Sequence, residues 1–314
     1  VTDFRLTTLS DNSQTLCILF LVFLLIYMNT LIINSLIIIL VFTDLHLHTP
    51  MYFFLGNLAF LDMSLSSVTA PRMLSDFITT NNSISFPACM MQIFFLIYFL
   101  ATELLLLGAM SYDRFAAISH PLHYIHIMSW KVCSQLASLI WVSGFFYSLV
   151  HTLCSLRLTF CDSNVIQNFF CDLPHLFQIS CTDTFINLLI TVTFGGSLLL
   201  VAFAITFIPY ARIFITIMRI RTKDGKLKAF STCTSHLAVV SIFYASLIFT
   251  YFVPTTSLVD LYKIVSVVYA VINPLLNPLI YSVRNKDLKP PPLSGSGRWE
   301  IPSGKALGKV KQCH

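Results

Sequence analysis

The feature that most constrains this chain is a run of 27 residues, Leu16 to Phe42, without one charged side chain. A helix needs about 20 apolar residues to cross the hydrocarbon of a bilayer, whereas the apolar stretch of a secretory leader is roughly 7–15 residues long. The run therefore reads as a membrane span that doubles as the targeting signal. Six further stretches pass the same ruler, giving seven spans at 16–42, 51–78, 89–119, 133–155, 185–220, 229–254 and 263–284. Backbone polar groups in hydrocarbon must be satisfied within the segment, so the spans are helices and the fold class is an all-α seven-transmembrane bundle. Composition agrees: 56% of the 314 residues are hydrophobic and 11% charged, against about 25% charged in soluble domains. Residues 1–15 precede the bundle domain, 16–284, and 285–314 form a tail. The chain begins Val1-Thr2-Asp3, without Met, so further residues are expected before it.

An odd number of spans puts the termini on opposite sides. With the N-terminus outside, 15 of the 19 Lys and Arg fall inside, leaving Arg5, Arg72, Arg157 and Lys263 outside. Positive charge accumulates on the cytoplasmic side, so the expected orientation is N-out and C-in. The net charge of +5 comes from this bias and needs no nucleic-acid partner. Four of the nine cysteines, Cys89, Cys161, Cys171 and Cys181, fall in segments assigned outside, where disulfides persist. Four cysteines allow three connectivities. Asn81-Asn82-Ser83 is a glycosylation sequon in the first outside loop, with Asn81 as the acceptor.

Ionisable groups at membrane depth are costly and mark function or close pairing. Asp62 and Glu103 are the two clear cases, and with Asn34 and Asn277 they would form a polar cluster able to hold a sodium ion, since oxygen ligands suit a hard cation. Pairing with a neighbouring helix is the plainer alternative. Stepping back from Arg114 by three or four residues aligns Met110, Leu107, Glu103, Leu100 and Leu96 on one face. On the sixth span the same arithmetic aligns His236, Val240, Tyr244, Leu247 and Tyr251. Such stripes are most often packing. Pro274 and Pro278 would kink the seventh span, where Asn277 could satisfy freed backbone groups. No nucleophile–base constellation, phosphate loop or zinc spacing points to an enzyme, and the nine histidines are scattered.

Four motifs in order carry a resemblance. They are Leu47-His48-Thr49-Pro50-Met51-Tyr52 at the second span, Met110-Ser111-Tyr112-Asp113-Arg114-Phe115 at the end of the third, Lys228-Ala229-Phe230-Ser231-Thr232-Cys233-Thr234-Ser235-His236 entering the sixth, and Pro274-Leu275-Leu276-Asn277-Pro278-Leu279-Ile280-Tyr281 in the seventh. Together they resemble the odorant receptor family, the class II branch of the rhodopsin-like G-protein-coupled receptors, over about residues 3–289. The resemblance implies a multi-pass plasma-membrane protein of olfactory cilia that activates a stimulatory olfactory G protein and raises cAMP. It implies bonds Cys89–Cys171 and Cys161–Cys181. Arg114 would face the G protein with Asp113 restraining it at rest, and Tyr210, His236, Asn277, Pro278 and Tyr281 would take part in activation. The odorant would sit among Leu96, Ile97, Leu100 and Ala101 of the third span, Phe194 of the fifth, Tyr244, Leu247 and Tyr251 of the sixth, and Ala270 of the seventh. These side chains are mostly apolar, with hydroxyls from two tyrosines and no cation, which calls for a small, neutral, hydrophobic volatile with one hydrogen-bonding group.

The chain departs from the family pattern at Ile33, Ser111, Phe115, Ala116, Ser119, Pro209 and Ala245. After Lys289, Pro290-Pro291-Pro292 stops the expected surface helix, and Lys305 to Val310 reads as its continuation, so 290–304 reads as an insertion. Two other readings remain: a transporter, which buried acids permit but which should show an internal repeat, and a receptor-like product that does not signal, suggested by the tail and the altered coupling motif.

Overall fold

The apolar runs become helices of membrane-crossing length. The computed structural model describes residues 3–10, 12–79, 82–161, 163–219, 222–253 and 259–284. The first five spans are Ser13–Thr43, Pro50–Ile78, Phe86–Ser119, Trp130–Leu156 and Phe185–Arg219. The sixth is Lys223–Phe252, whose uninterrupted apolar part is His236–Phe252, and the seventh begins at Val259 and ends with Asn273–Arg284. Asn81, the insertion at 290–304 and the rest of the tail lie outside the described residues, as does the Tyr281 side chain.

Local chemistry sets several helix starts. Asn12 caps the first span, its side chain accepting from the Gln14 amide at 2.9 Å. Pro50 and Pro87 sit in the first turns of the second and third, where a missing N–H costs nothing. The third span is the hub, packed against the second, fourth and fifth. Its approach to the fourth is close at Gly144, where an added Cβ would collide with Thr102 Oγ1. Large apolar side chains such as Ile18, Leu25, Leu139, Leu153 and Leu200 point outward, as a lipid-facing surface requires.

Two spans do not keep a regular α-helix. The fifth widens into a π-helical turn at Thr191–Gly195 and the seventh at Val268–Ile272. In the seventh span, Pro278 has no N–H to give to the carbonyl of Pro274, four residues back. Asn34 of the first span fills that role, its Nδ2 donating to the Pro274 oxygen at 3.1 Å. The sequence suggests Asn277 for this repair, but the amide of Asn277 is turned into the bundle toward Asp62 and Glu103.

One end of the bundle carries a small sheet that the sequence did not announce. Strand β1, Asp3–Leu6, pairs antiparallel with β2, Ser83–Ser85, and parallel with β3, Val165–Ile166. Phe4 is fully buried and meets Phe160 edge to face at 4.9 Å. Cys89 bonds Cys171, pinning the long loop after the fourth span to the third, and Cys161 bonds Cys181 within that loop. Among the described residues Cys17, Cys133, Cys154 and Cys233 are free thiols.

Candidate functional site

Beneath the disulfide end lies a cavity of about 60 Å³ between the third, fourth, fifth and sixth spans. At about 10–15 Å³ per water on this measure, it holds four to six water-sized groups. Five of the nine residues assigned to the ligand line it: Ile97, Leu100, Ala101, Leu247 and Tyr251. The other four lie elsewhere. Leu96 is turned wholly into the central core, and Tyr244 packs one turn below, sharing a hydrogen bond of 3.0 Å with Thr206. Phe194 is about half exposed (48%) and stacks on Tyr147 from outside the cavity. Ala270 is buried in the core. Phe194 and Ala270 fall within the two π-helical turns.

The wall missed in the sequence comes from the fourth span and the loop: Tyr147, His151 and Leu173, with Thr191 and Gly195 from the widened turn. A signal for the fourth span did exist. Ala137, Ile140, Gly144, Ser148, His151 and Ser155 recur at three- and four-residue steps, and all are buried. Small and polar residues on one face mark a helix that packs inward at close range. His151 is 4% exposed, and its Nε2 is buried with no hydrogen-bond partner among the described residues.

Above the cavity, Asp172 comes directly after the disulfide cysteine Cys171 and is fully buried. Its carboxylate accepts from Tyr269 Oη at 2.8 Å, from Tyr251 Oη at 3.2 Å and from the Leu173 amide at 2.8 Å. One loop side chain thus joins the sixth and seventh spans. Burial pushes the Asp172 carboxyl up to about 6, opposed by these hydrogen bonds. Burial likewise holds His175, in the same loop, down at about 4.

The polar cluster lies deeper. Asn277 Nδ2 donates to Asp62 Oδ1 at 2.8 Å and to Glu103 Oε1 at 3.1 Å. Asp62 Oδ2, Glu103 Oε2, Asn34 Oδ1 and Asn277 Oδ1 are buried and have no hydrogen-bond partner among the described residues. Two carboxylates around one amide carry more negative charge than burial tolerates unless a proton or a small cation offsets it.

At the opposite end, Asp113 and Arg114 are buried. The Asp113 carboxylate accepts from Tyr124 Oη at 2.8 Å. Among the described residues the ion pairs are His46–Asp44 and Arg72–Asp76, so the restraint on Arg114 expected from Asp113 is not a direct salt bridge. Tyr124 lies in the loop between the third and fourth spans, and burial together with the neighbouring Asp113 raises its pKa, keeping it a donor. Tyr210 and His236 are hydrogen-bonded and stacked. They sit beside an apolar cluster of Ile213, Ile217 and Cys233, against which Phe115 packs. The third, fifth and sixth spans therefore converge at the Arg114 end.

A family model described as "Olfactory receptor" matches residues 23–291. The chain is 47% identical to mouse Olfactory receptor 5AR1 over 290 residues, covering 92% of this chain and 94% of that protein. It is 45% identical to mouse Olfactory receptor 5G9, covering 92% of each, and 44% identical to human Olfactory receptor 5AR1, covering 92% and 94%.

Proposed function

Because this chain belongs to the olfactory receptor family of multi-pass plasma-membrane receptors, which are signalling proteins and not enzymes, we propose that its cavity binds a small, neutral, hydrophobic volatile and that its Arg114 end activates a stimulatory olfactory G protein, raising cAMP. The observation that carries this reading is the pairing of two ends in one bundle. The cavity touches the third and sixth spans, and the same two spans meet again around Arg114, Tyr210 and His236. A ligand that binds one packing of these spans better than another shifts the population between them. The disulfide end faces outward in this reading, with the N-terminus, and the Arg114 end faces the cytoplasm. Among the described residues the cavity lining includes no Lys or Arg, so a carboxylate odorant would find no fixed cation.

The four partnerless oxygens of Asn34, Asp62, Glu103 and Asn277 fit a small hard cation, and sodium is the one we propose there. Such an ion would offset the paired carboxylates and favour the packing that surrounds them.

The test expresses the full chain in cells with a cAMP reporter and applies a panel of neutral and acidic volatiles. Neutral odorants should raise cAMP, and Arg114→Gln should abolish the response while leaving surface expression intact. Activation by acids alone would overturn the ligand class. Surface expression without any cAMP response would favour the non-signalling alternative.

A further inference from the structure

The cavity is apolar on most sides, and its polar groups are not equivalent. The Thr191 hydroxyl donates to the Asn187 carbonyl at 2.9 Å, and the Tyr251 hydroxyl donates to Asp172. The fourth span supplies the other two, Tyr147 and His151, whose ring centroids lie 4.6 Å apart; of these, His151 has its Nε2 buried without a partner among the described residues. A buried polar atom without a partner costs free energy, which a ligand that supplies the missing hydrogen bond recovers. We propose that His151 is the hydrogen-bonding partner of the odorant, and that the cavity therefore takes a short-chain, uncharged aliphatic alcohol. This rests on the reading of the cavity as the odorant site.

The choice of alcohol comes from tautomer chemistry. A neutral imidazole nitrogen either donates or accepts, depending on which nitrogen holds the proton. A hydroxyl answers both forms, because it can accept from N–H or donate to the bare nitrogen. A carbonyl or ether oxygen answers only one. An acid would bring a full negative charge into a cavity whose lining includes no Lys or Arg. The volume sets the length: room for about four to six heavy-atom-sized groups fits propanol to pentanol. The alkyl chain would lie along Leu100, Leu104 and Leu247, with the hydroxyl at the fourth span.

The experiment applies 1-propanol, 1-butanol and 1-pentanol, with methyl ethers, aldehydes and carboxylic acids of matched length, to cells expressing the full chain and a cAMP reporter. Surface staining accompanies each variant. The alcohols are expected to be the most potent members of each set. His151→Leu should raise the half-maximal concentration for alcohols about 10- to 100-fold, the worth of one buried hydrogen bond. The loss should be smaller for ethers, which can use only one tautomer, and His151→Gln should restore part of the alcohol preference. Aldehydes, ethers or acids matching the alcohols, no alcohol response from surface-expressed receptor, or loss of the alcohol preference in Tyr147→Phe but not in His151→Leu would overturn the proposal. Leu247→Trp, which fills the cavity, separates the two layers. If it leaves odorant responses unchanged, the cavity reading itself fails. If it abolishes them while His151→Leu does not discriminate alcohols from ethers, only the assignment to His151 fails.

Discussion

At the residue scale, Asp172 shows how one buried carboxylate ties a loop to two helices. Among the described residues, Tyr251 and Tyr269 come from spans that share no strand or disulfide with the loop, and both donate to the same side chain. An unfolded Asp titrates near pH 4, whereas folded Asp172 titrates near 6. Between those values the unfolded chain has released a proton that the folded chain keeps, so this group's contribution makes stability fall as pH rises from about 4 to about 6 and level off above. Asp172→Asn should remove that slope from a plot of Tm against pH for the purified receptor. If the slope persists in the variant, another group is responsible. Tyr269→Phe should lower stability by about 1.5–3 kcal/mol, the range for a hydrogen bond to a charged group, as read by thermal unfolding at pH 7.

At the element scale, close packing and widened turns decide what the spans present to one another. The third and fourth spans approach where Gly144 faces Thr102 and the carbonyl of Tyr98, the latter 3.3 Å from where a Cβ would stand. Thr102 is β-branched, buried and bonded back to Tyr98, so it cannot swing aside. Gly144→Ala is therefore expected to destabilise the receptor by about 1–3 kcal/mol through overpacking. Adding Thr102→Ala should recover most of the loss, whereas an unimproved double variant would show that the spans are separated by something other than this contact. The Ala137-to-Ser155 stripe of the fourth span was legible as a repeat. The π-helical turns at Thr191–Gly195 and Val268–Ile272 were not, because one extra residue in a helical turn leaves the apolar run and its length unchanged. Phe194 and Ala270, which lie within these turns, are not in the cavity lining.

At the scale of the whole molecule, the bundle is closed at one end by the disulfides and the three-stranded sheet. Cys89–Cys171 spans 82 residues of chain and Cys161–Cys181 spans 20. Restricting the longer loop removes more entropy from the unfolded chain, about 4–5 against about 3 kcal/mol in the chain-entropy description. Cys89→Ser should thus reduce surface expression and Tm more than Cys161→Ser does, and the reverse order would mean that the short bridge holds the lid by direct contacts. Orientation has its own check. A glycan on Asn81, lost in Asn81→Gln and seen as an electrophoretic shift after glycosidase treatment, would place the disulfide end outside the cell, and an unmodified Asn81 in surface-expressed receptor would leave that placement resting on charge bias alone.

The seven spans, their order and their family motifs could be read from the chain because hydrophobicity, length and motif spacing are local properties. A run such as Leu16 to Phe42 has one low-energy solution in a bilayer, a helix, whatever surrounds it. Which polar groups meet is a different kind of question. It depends on the cumulative rotation of each helix and on chain that is distant in sequence. Only the folded molecule turns Asn34 onto the carbonyl that Pro278 leaves without a donor, brings Asp172 from a loop to two tyrosines on separate spans, and buries His151 Nε2 beside a cavity with no partner among the described residues. A rotation of about 100° per residue is enough to move a side chain from the cavity to the core or the lipid, so the site was decided by tertiary packing.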